Sequence, residues 1–197
     1  MFKHLLTMIG VCPFLLGALT SCLPFERPAA KYPIIAARDI LIDGSSFPQD
    51  WKADSCGAYC ERSEGYGDAM RTYGRPGKPG HVILHITNYV YERSAKEAFQ
   101  RAEATNFPTR TPHTPPFSTA QPITYISSFA DEYELGCGVD IVPACRLYAR
   151  YSNYFIYLFL NIEGSAGEGL QVAEVDPILE ALDKHIAAQL QVSSEQR

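Results

Sequence analysis

The stretch CRLYARYSNYFIYLFL, residues 145–160, decides the fold. Two runs rich in aromatic and aliphatic residues flank Ser152-Asn153, a pair suited to a two-residue hairpin loop in which Asn tolerates positive φ. The loop sets the register. Tyr151 faces Tyr154, and pairs step outward from there. Ala149 meets Ile156 and Leu147 meets Leu158 on one face, which reads as core. On the other face Arg150 meets Phe155, Tyr148 meets Tyr157 and Arg146 meets Phe159. This second face alternates cation and aromatic, an arrangement that stacks favourably at about 0.5–1 kcal/mol per exposed pair.

The preceding run, Glu132 to Cys137, extends the register. With Cys137 opposite Cys145, Glu132 faces Arg150 and Glu134 faces Tyr148, while Tyr133 and Leu135 fall on the core side beside Ala149 and Leu147. Two readings of the Arg146, Tyr148, Arg150, Phe155, Tyr157, Phe159 face then stand side by side. It could receive an anionic or sugar ligand. Alternatively Glu132 already neutralises Arg150, and the face is a solvated sheet surface; the self-consistent register favours this second reading.

Outward from the hairpin, apolar patterning marks further strands at Ile34–Ile42, Asp68–Tyr73, His81–Tyr91 and Ile123–Phe129. Trp51, after a proline turn, reads as a core plug, with sugar stacking as the sharper alternative. His81 and His85 share a strand face but lie about 13 Å apart at ~3.3 Å per residue, too far to chelate one ion. Ser94 to Thr105 carries a capping-box pattern, Ser94 with Glu97, and helical spacing of Ala95, Ala98, Phe99 and Ala102. Asp176-Pro177 reads as N-cap and first residue of a second helix, with Ile178, Leu179, Leu182, Ile186 and Leu190 as its buried stripe. Residues 106–122 hold five prolines and form a long loop. The fold expected is therefore α+β: an antiparallel sheet of about 5–7 strands, with two main helices packed on one face. Hairpin followed by helix occurs twice, which suggests a degenerate duplication. On element order alone the domain is similar to the PsbP-like fold, an analogy that implies no function.

The N-terminus supplies a different kind of signal. Residues 5–18 (LLTMIGVCPFLLGA) are almost wholly apolar, the length of a signal h-region rather than a membrane span. Leu19-Thr20-Ser21-Cys22 follows and resembles the lipobox of bacterial lipoproteins. That resemblance implies loss of residues 1–21 and acylation of Cys22, which becomes the mature N-terminus. An ordinary secretory signal with an incidental Cys22 is the alternative. Leu23 after the cysteine implies the outer membrane in a Gram-negative host; in another envelope the outer face of the cell membrane is expected. Residues 22–33 then form a lipidated, proline-rich tether, 34–192 a single domain, and 193–197 a frayed tail.

Of six cysteines, Cys12 leaves with the signal and Cys22 takes the lipid. Cys56, Cys60, Cys137 and Cys145 remain, an even number that reads as two disulfides in an exported chain. The favoured pairings are the local ones, 137–145 and 56–60. Zinc fits poorly because Cys137 and Cys145 are too widely spaced. The chain carries a net charge of −5, and losing Lys3 makes it more negative, so no general attraction to nucleic acid follows. No Gly-x-Ser-x-Gly, His-Glu-x-x-His or Walker pattern occurs, and no cofactor is implied. The reading is a lipid-anchored binding or interaction domain of the bacterial envelope, meeting an envelope protein or small ligand. An envelope hydrolase assembled from distant residues and a structural or assembly role are the alternatives.

Overall fold

A computed structural model describes residues 34–45, 47–53, 67–78, 80–106, 123–139, 142–162 and 169–195. The signal and lipobox, the tether, Cys56 and Cys60, most of the proline-rich loop and the Gly164–Gly167 stretch lie outside the described residues. The described chain is α+β. Its strands are β1 (Lys52–Ala53), β2 (Asp68–Gly74), β3 (His81–Asn88), β4 (Glu132–Val139), β5 (Pro143–Tyr151) and β6 (Tyr154–Asn161). They form one antiparallel sheet in the order β1-β2-β3-β6-β5-β4. Helix α1 spans Glu92–Asn106 and α2 spans Val172–Glu195, so α2 continues through residues expected to fray.

The hairpin register read from residues 145–160 is the one observed, pair for pair, and so is the register of β4 on β5. Cys137 and Cys145 stand opposite each other and are joined in a disulfide. One detail of the turn differs. Ser152, not Asn153, carries the positive φ, at 53°. Asn153 is held instead by its amide, which donates to Asn88 Oδ1 at 2.7 Å and to the Tyr89 carbonyl at 2.9 Å.

The helices do not share a face, which corrects the two-layer expectation. Val175, Ile178, Leu179, Leu182, Ile186 and Leu190 of α2 join the core with Leu84, Ile86, Leu147, Ile156 and Leu158 on one side of the sheet. On the other side Phe99 of α1 packs with Ala144 and Tyr148, against Phe155, Tyr157 and Phe159. The physical reason is the composition of β6. Residues 154–160 are apolar almost without interruption, the pattern of a strand buried on both faces. A two-fold axis relating two antiparallel neighbours such as β3 and β6 runs normal to the sheet and would leave both helices on one side. The repeated hairpin–helix order is therefore not a symmetric duplication.

Two expected strands are not strands. Over 34–42 the chain makes a 3-10 turn at Ala37–Ile40 and buries Ala37, Ile40 and Ile42 against the core. Side chains replace the ladder there: Ile35 N donates to the Tyr154 hydroxyl, and Arg71 and the Tyr73 hydroxyl donate to the Ile42 carbonyl. Residues 123–130 form an irregular strap that joins no strand among the described residues. Trp51 is 4% exposed and packs near Phe47, with the Arg75 guanidinium 5.3 Å over its ring, so the core-plug reading holds.

Helix boundaries also moved, each for a local reason. Helix α2 starts at Val172 because the Glu174 carboxylate reaches back to the Gln171 N–H at 2.7 Å, the acidic half of a capping box. Asp176 is then inside the helix, not its cap. Helix α1 begins at Glu92, and Glu97 reaches back to accept from Arg93 Nε at 2.8 Å instead of capping Ser94. Just before β3, Gly80 packs on the backbone of Gly169, which in turn packs on Asn161 and Ile162; their φ values are 99° and 94°. A Cβ on Gly80 would stand 2.7 Å from Gly169 N, so neither position has room for a side chain.

Candidate functional site

The six residues read as a possible ligand face are brought together as expected, on the even positions of β5 and the odd positions of β6. They are not an open surface. Helix α1 lies across them and is fastened at both ends to β5. At its start Glu92 accepts from Arg150 Nη1 at 3.0 Å, and at its end Asn106 Oδ1 accepts from Arg146 Nη1 at 2.6 Å. Both arginines thus serve to seat a helix. Between them Phe99 covers Tyr148, which stacks on Phe155 at 5.9 Å and Tyr157 at 5.3 Å. Burial, with Tyr157 beside it, pushes the Tyr148 phenol up to about 12.

Arg150 is 7% exposed and is the hub of this face. Its Nε donates to Glu132, and its Nη1 to Glu92, to Asp131 at 3.5 Å and to the Ser152 carbonyl at 3.0 Å. Asp131 N also donates to the Arg150 carbonyl at 2.7 Å, although Glu132 is the ladder partner of Arg150. Two residues opposing one is a β-bulge, and it swings both carboxylates to the guanidinium side. Asp131 further accepts the Ser152 N–H at 2.6 Å, holding the turn in its left-handed conformation.

A second polar centre lies on the α2 side. Asp183 is 3% exposed. Its Oδ2 accepts from the Tyr125 hydroxyl at 2.6 Å and Ser128 N at 3.1 Å, and its Oδ1 from Ser127 Oγ at 2.7 Å and from Tyr151. One turn-pair earlier, Asp176 accepts from Thr124 N, Thr124 Oγ1 and Tyr125 N. The two carboxylates therefore bind the strap to α2. Four donors fill the four lone-pair positions of Asp183. Burial first, and then the bond to Asp183, raises both the Tyr151 and the Tyr125 phenol well above the ordinary tyrosine value. Sequence spacing showed none of this centre; an Asp within an otherwise apolar helical stripe was its single trace.

The part of the α1-side face left half-exposed lies over β2 and β3. Asp68, Met70 and Thr72 stand beside His81, Ile83 and His85, with Phe159 and Tyr157 at the border. His81 stacks on Phe159 at 5.5 Å, and His85 Nε2 lies 3.4 Å from Asp68 Oδ1. The pair is 17 residues apart in sequence and emerges only from the hairpin register. It can hold an imidazole in place and present its other edge to a hydrogen-bonding ligand. Among the described residues no three His, Cys, Asp or Glu side chains converge as a metal site, and no helix is long and apolar enough to cross a membrane. Comparison with protein families, curated proteins and solved structures finds no match for this chain.

Proposed function

We propose that the chain is an exported bacterial lipoprotein, anchored by acyl groups on Cys22, whose single α+β domain binds a ligand or partner at the envelope. The observation that carries this reading is Leu19-Thr20-Ser21-Cys22 placed at the end of an apolar run of signal length. The Cys137–Cys145 disulfide supports it, because such bonds persist in oxidising, extracytoplasmic compartments. A second staple, Cys56 to Cys60, belongs to the same proposal. Two or more acyl chains hold stably where one does not, since each buried CH₂ contributes about 0.8 kcal/mol.

The anchor is tested by Cys22→Ser in the full chain. Loss of lipid labelling and release from the membrane fraction are expected; unchanged fractionation overturns the lipoprotein reading. The binding surface we assign is the half-exposed patch of Asp68, Met70, His81 and His85 beside α1. A titration with envelope sugars and anions, read on the ring resonances of His81 and His85, tests it. Resonances that no probe moves would leave the anchor and remove the binding role.

A further inference from the structure

The outer edge of β4 is built to pair. In a two-residue hairpin the residues flanking the loop form a hydrogen-bonded pair, here Tyr151 and Tyr154. Alternation then commits the odd residues of β5 to β6 and the even ones to β4. On β4, Glu132, Glu134, Gly136 and Gly138 are the residues bonded to β5. The main-chain N–H and C=O groups of Tyr133, Leu135 and Cys137 point away from the sheet, and among the described residues no strand lies beyond them.

Edge strands are commonly guarded by Lys, Pro, bulges or short length. Strand β4 is eight residues long and contains no Lys, Arg or Pro. Its bulge sits at the extreme N-terminal end. Its two charges turn onto the α1 side: Glu132 is bound to Arg150, and burial, with Glu103 nearby, raises the Glu134 carboxyl above its usual range. Exposed apolar side chains flank the strand, Phe129 before it and Val142 in the connection to β5, each 40% exposed.

We propose that β4 pairs antiparallel with β4 of a second copy of this chain, about a two-fold axis at Leu135, joining two six-stranded sheets into one. The sequence of β4 is self-complementary in that register. Leu135 meets Leu135, Tyr133 meets Cys137, and all of these are the outward-pointing residues, giving roughly six new main-chain bonds. Each glutamate meets a glycine: Glu134 opposes Gly136 and Glu132 opposes Gly138. A shift of one step toward the N-terminus would set Glu134 on Glu134, and like charges directly opposite are unfavourable. Antiparallel pairing also carries the Phe129 end of one copy to the Val142 end of the other, covering the exposed apolar groups.

The test is the sedimentation mass of the purified full chain in detergent micelles, with three variants. The unaltered chain is expected at twice the single-chain mass. Leu135→Pro removes an N–H that no described residue of the protomer uses, so it should stay folded by circular dichroism and sediment as one chain. Gly138→Glu places a like charge opposite Glu132 and should weaken the dimer, whereas Gly138→Lys should strengthen it. Each should shift the dissociation constant roughly two- to thirty-fold, since two equivalent pairs act. Should Leu135→Pro unfold, the opposite signs of the Gly138 variants decide. The proposal is overturned by a single-chain mass for the unaltered protein at about 100 μM, including one that instead takes up a foreign extended peptide. A dimer indifferent to folded Leu135→Pro, or Gly138 variants shifting it in the same direction, would also overturn it.

Discussion

Glu132 and Arg150, eighteen residues apart, stand directly opposite on β4 and β5 and close an ion pair beneath the first turn of α1. The guanidinium is nearly sealed from water, and three carboxylates converge on it. Removing the cation strands those charges. Arg150→Ala should cost on the order of 3–5 kcal/mol. Glu132→Gln should cost distinctly less, because Asp131 and Glu92 still neutralise the arginine. Urea unfolding of the two variants checks the order; equal losses would mean that the hub is a simple pair.

Much of this neighbourhood was readable from the chain, and the reason is geometric. A two-residue loop leaves one register, and period-two alternation then places Glu132 on Arg150 and Cys137 on Cys145. The helix above it was not readable as a cover. Arg146, Tyr148 and Arg150 look like a wet face, and strand alternation does not say what lies over it. The uninterrupted apolar run of β6 was the signal that both faces are covered, and Phe99 with Ala95 and Ala98 was the surface that needed one. Asp183 and Asp176 stayed invisible for another reason. Most of their partners, residues 124–128, sit more than 50 positions away and bond to side chains rather than to a ladder.

Buried phenols, those bonded to Asp183 among them, govern alkaline stability. Tyr73, Tyr125, Tyr133, Tyr148 and Tyr151 all have phenols raised by burial as the leading cause. Their unfolded value is about 10. Above that pH the unfolded chain sheds phenolic protons that the folded chain keeps, so the folded state binds more protons and stability falls as pH rises. Stability contributed by these groups is fully present below about pH 10 and declines above it, by about 1.4 kcal/mol per pH unit for each phenol still protonated in the fold. Urea midpoints between pH 8 and 11.5 measure this. Tyr151→Phe should also lose about 1.5–3 kcal/mol at neutral pH, the worth of a hydrogen bond to a charged acceptor.

The disulfide closes a short loop, its cysteines separated by eight positions. Chain-entropy arguments assign such a loop about 2–3 kcal/mol. A Cys137→Ala, Cys145→Ala double variant should therefore unfold at lower urea, with the β4–β5 register otherwise kept by its ladder. Peptide mapping without reductant should recover 137 joined to 145, and recovery of 56 joined to 137 would contradict the observed pairing.

Gly80 and Gly169 make the sharpest steric prediction. Both have positive φ, and a Cβ on Gly169 would lie 2.6 Å from the Asn161 carbonyl oxygen. The contact is with backbone, which cannot rotate away. Left-handed strain of about 1–2 kcal/mol and overpacking of about 1–3 kcal/mol should combine in Gly169→Ala. Thermal unfolding of Gly169→Ala and of Gly77→Ala separates the two effects. Gly77 has φ 73° but no described residue within 4 Å of its missing Cβ, so it should show the strain alone.

Ser152 is the position where a glycine is missing. It has φ 53°, is fully buried, and its hydroxyl has no hydrogen-bond partner among the described residues. Two-residue hairpins with positive φ at the first loop position favour glycine there. Ser152→Gly removes the left-handed penalty and an unsatisfied buried hydroxyl, and it keeps the N–H to Asp131 and the carbonyl to Arg150. Against this stands the greater freedom of glycine in the unfolded chain, about 0.5–1 kcal/mol. The gains, about 1–2 kcal/mol for the conformation and about 1–3 kcal/mol for the hydroxyl, exceed that loss. The variant should be more stable by about 1 kcal/mol or more, seen as a higher urea midpoint at unchanged slope. Ser152→Ala isolates the hydroxyl, and a Ser152→Gly variant no more stable than Ser152→Ala would show that the turn carries no strain.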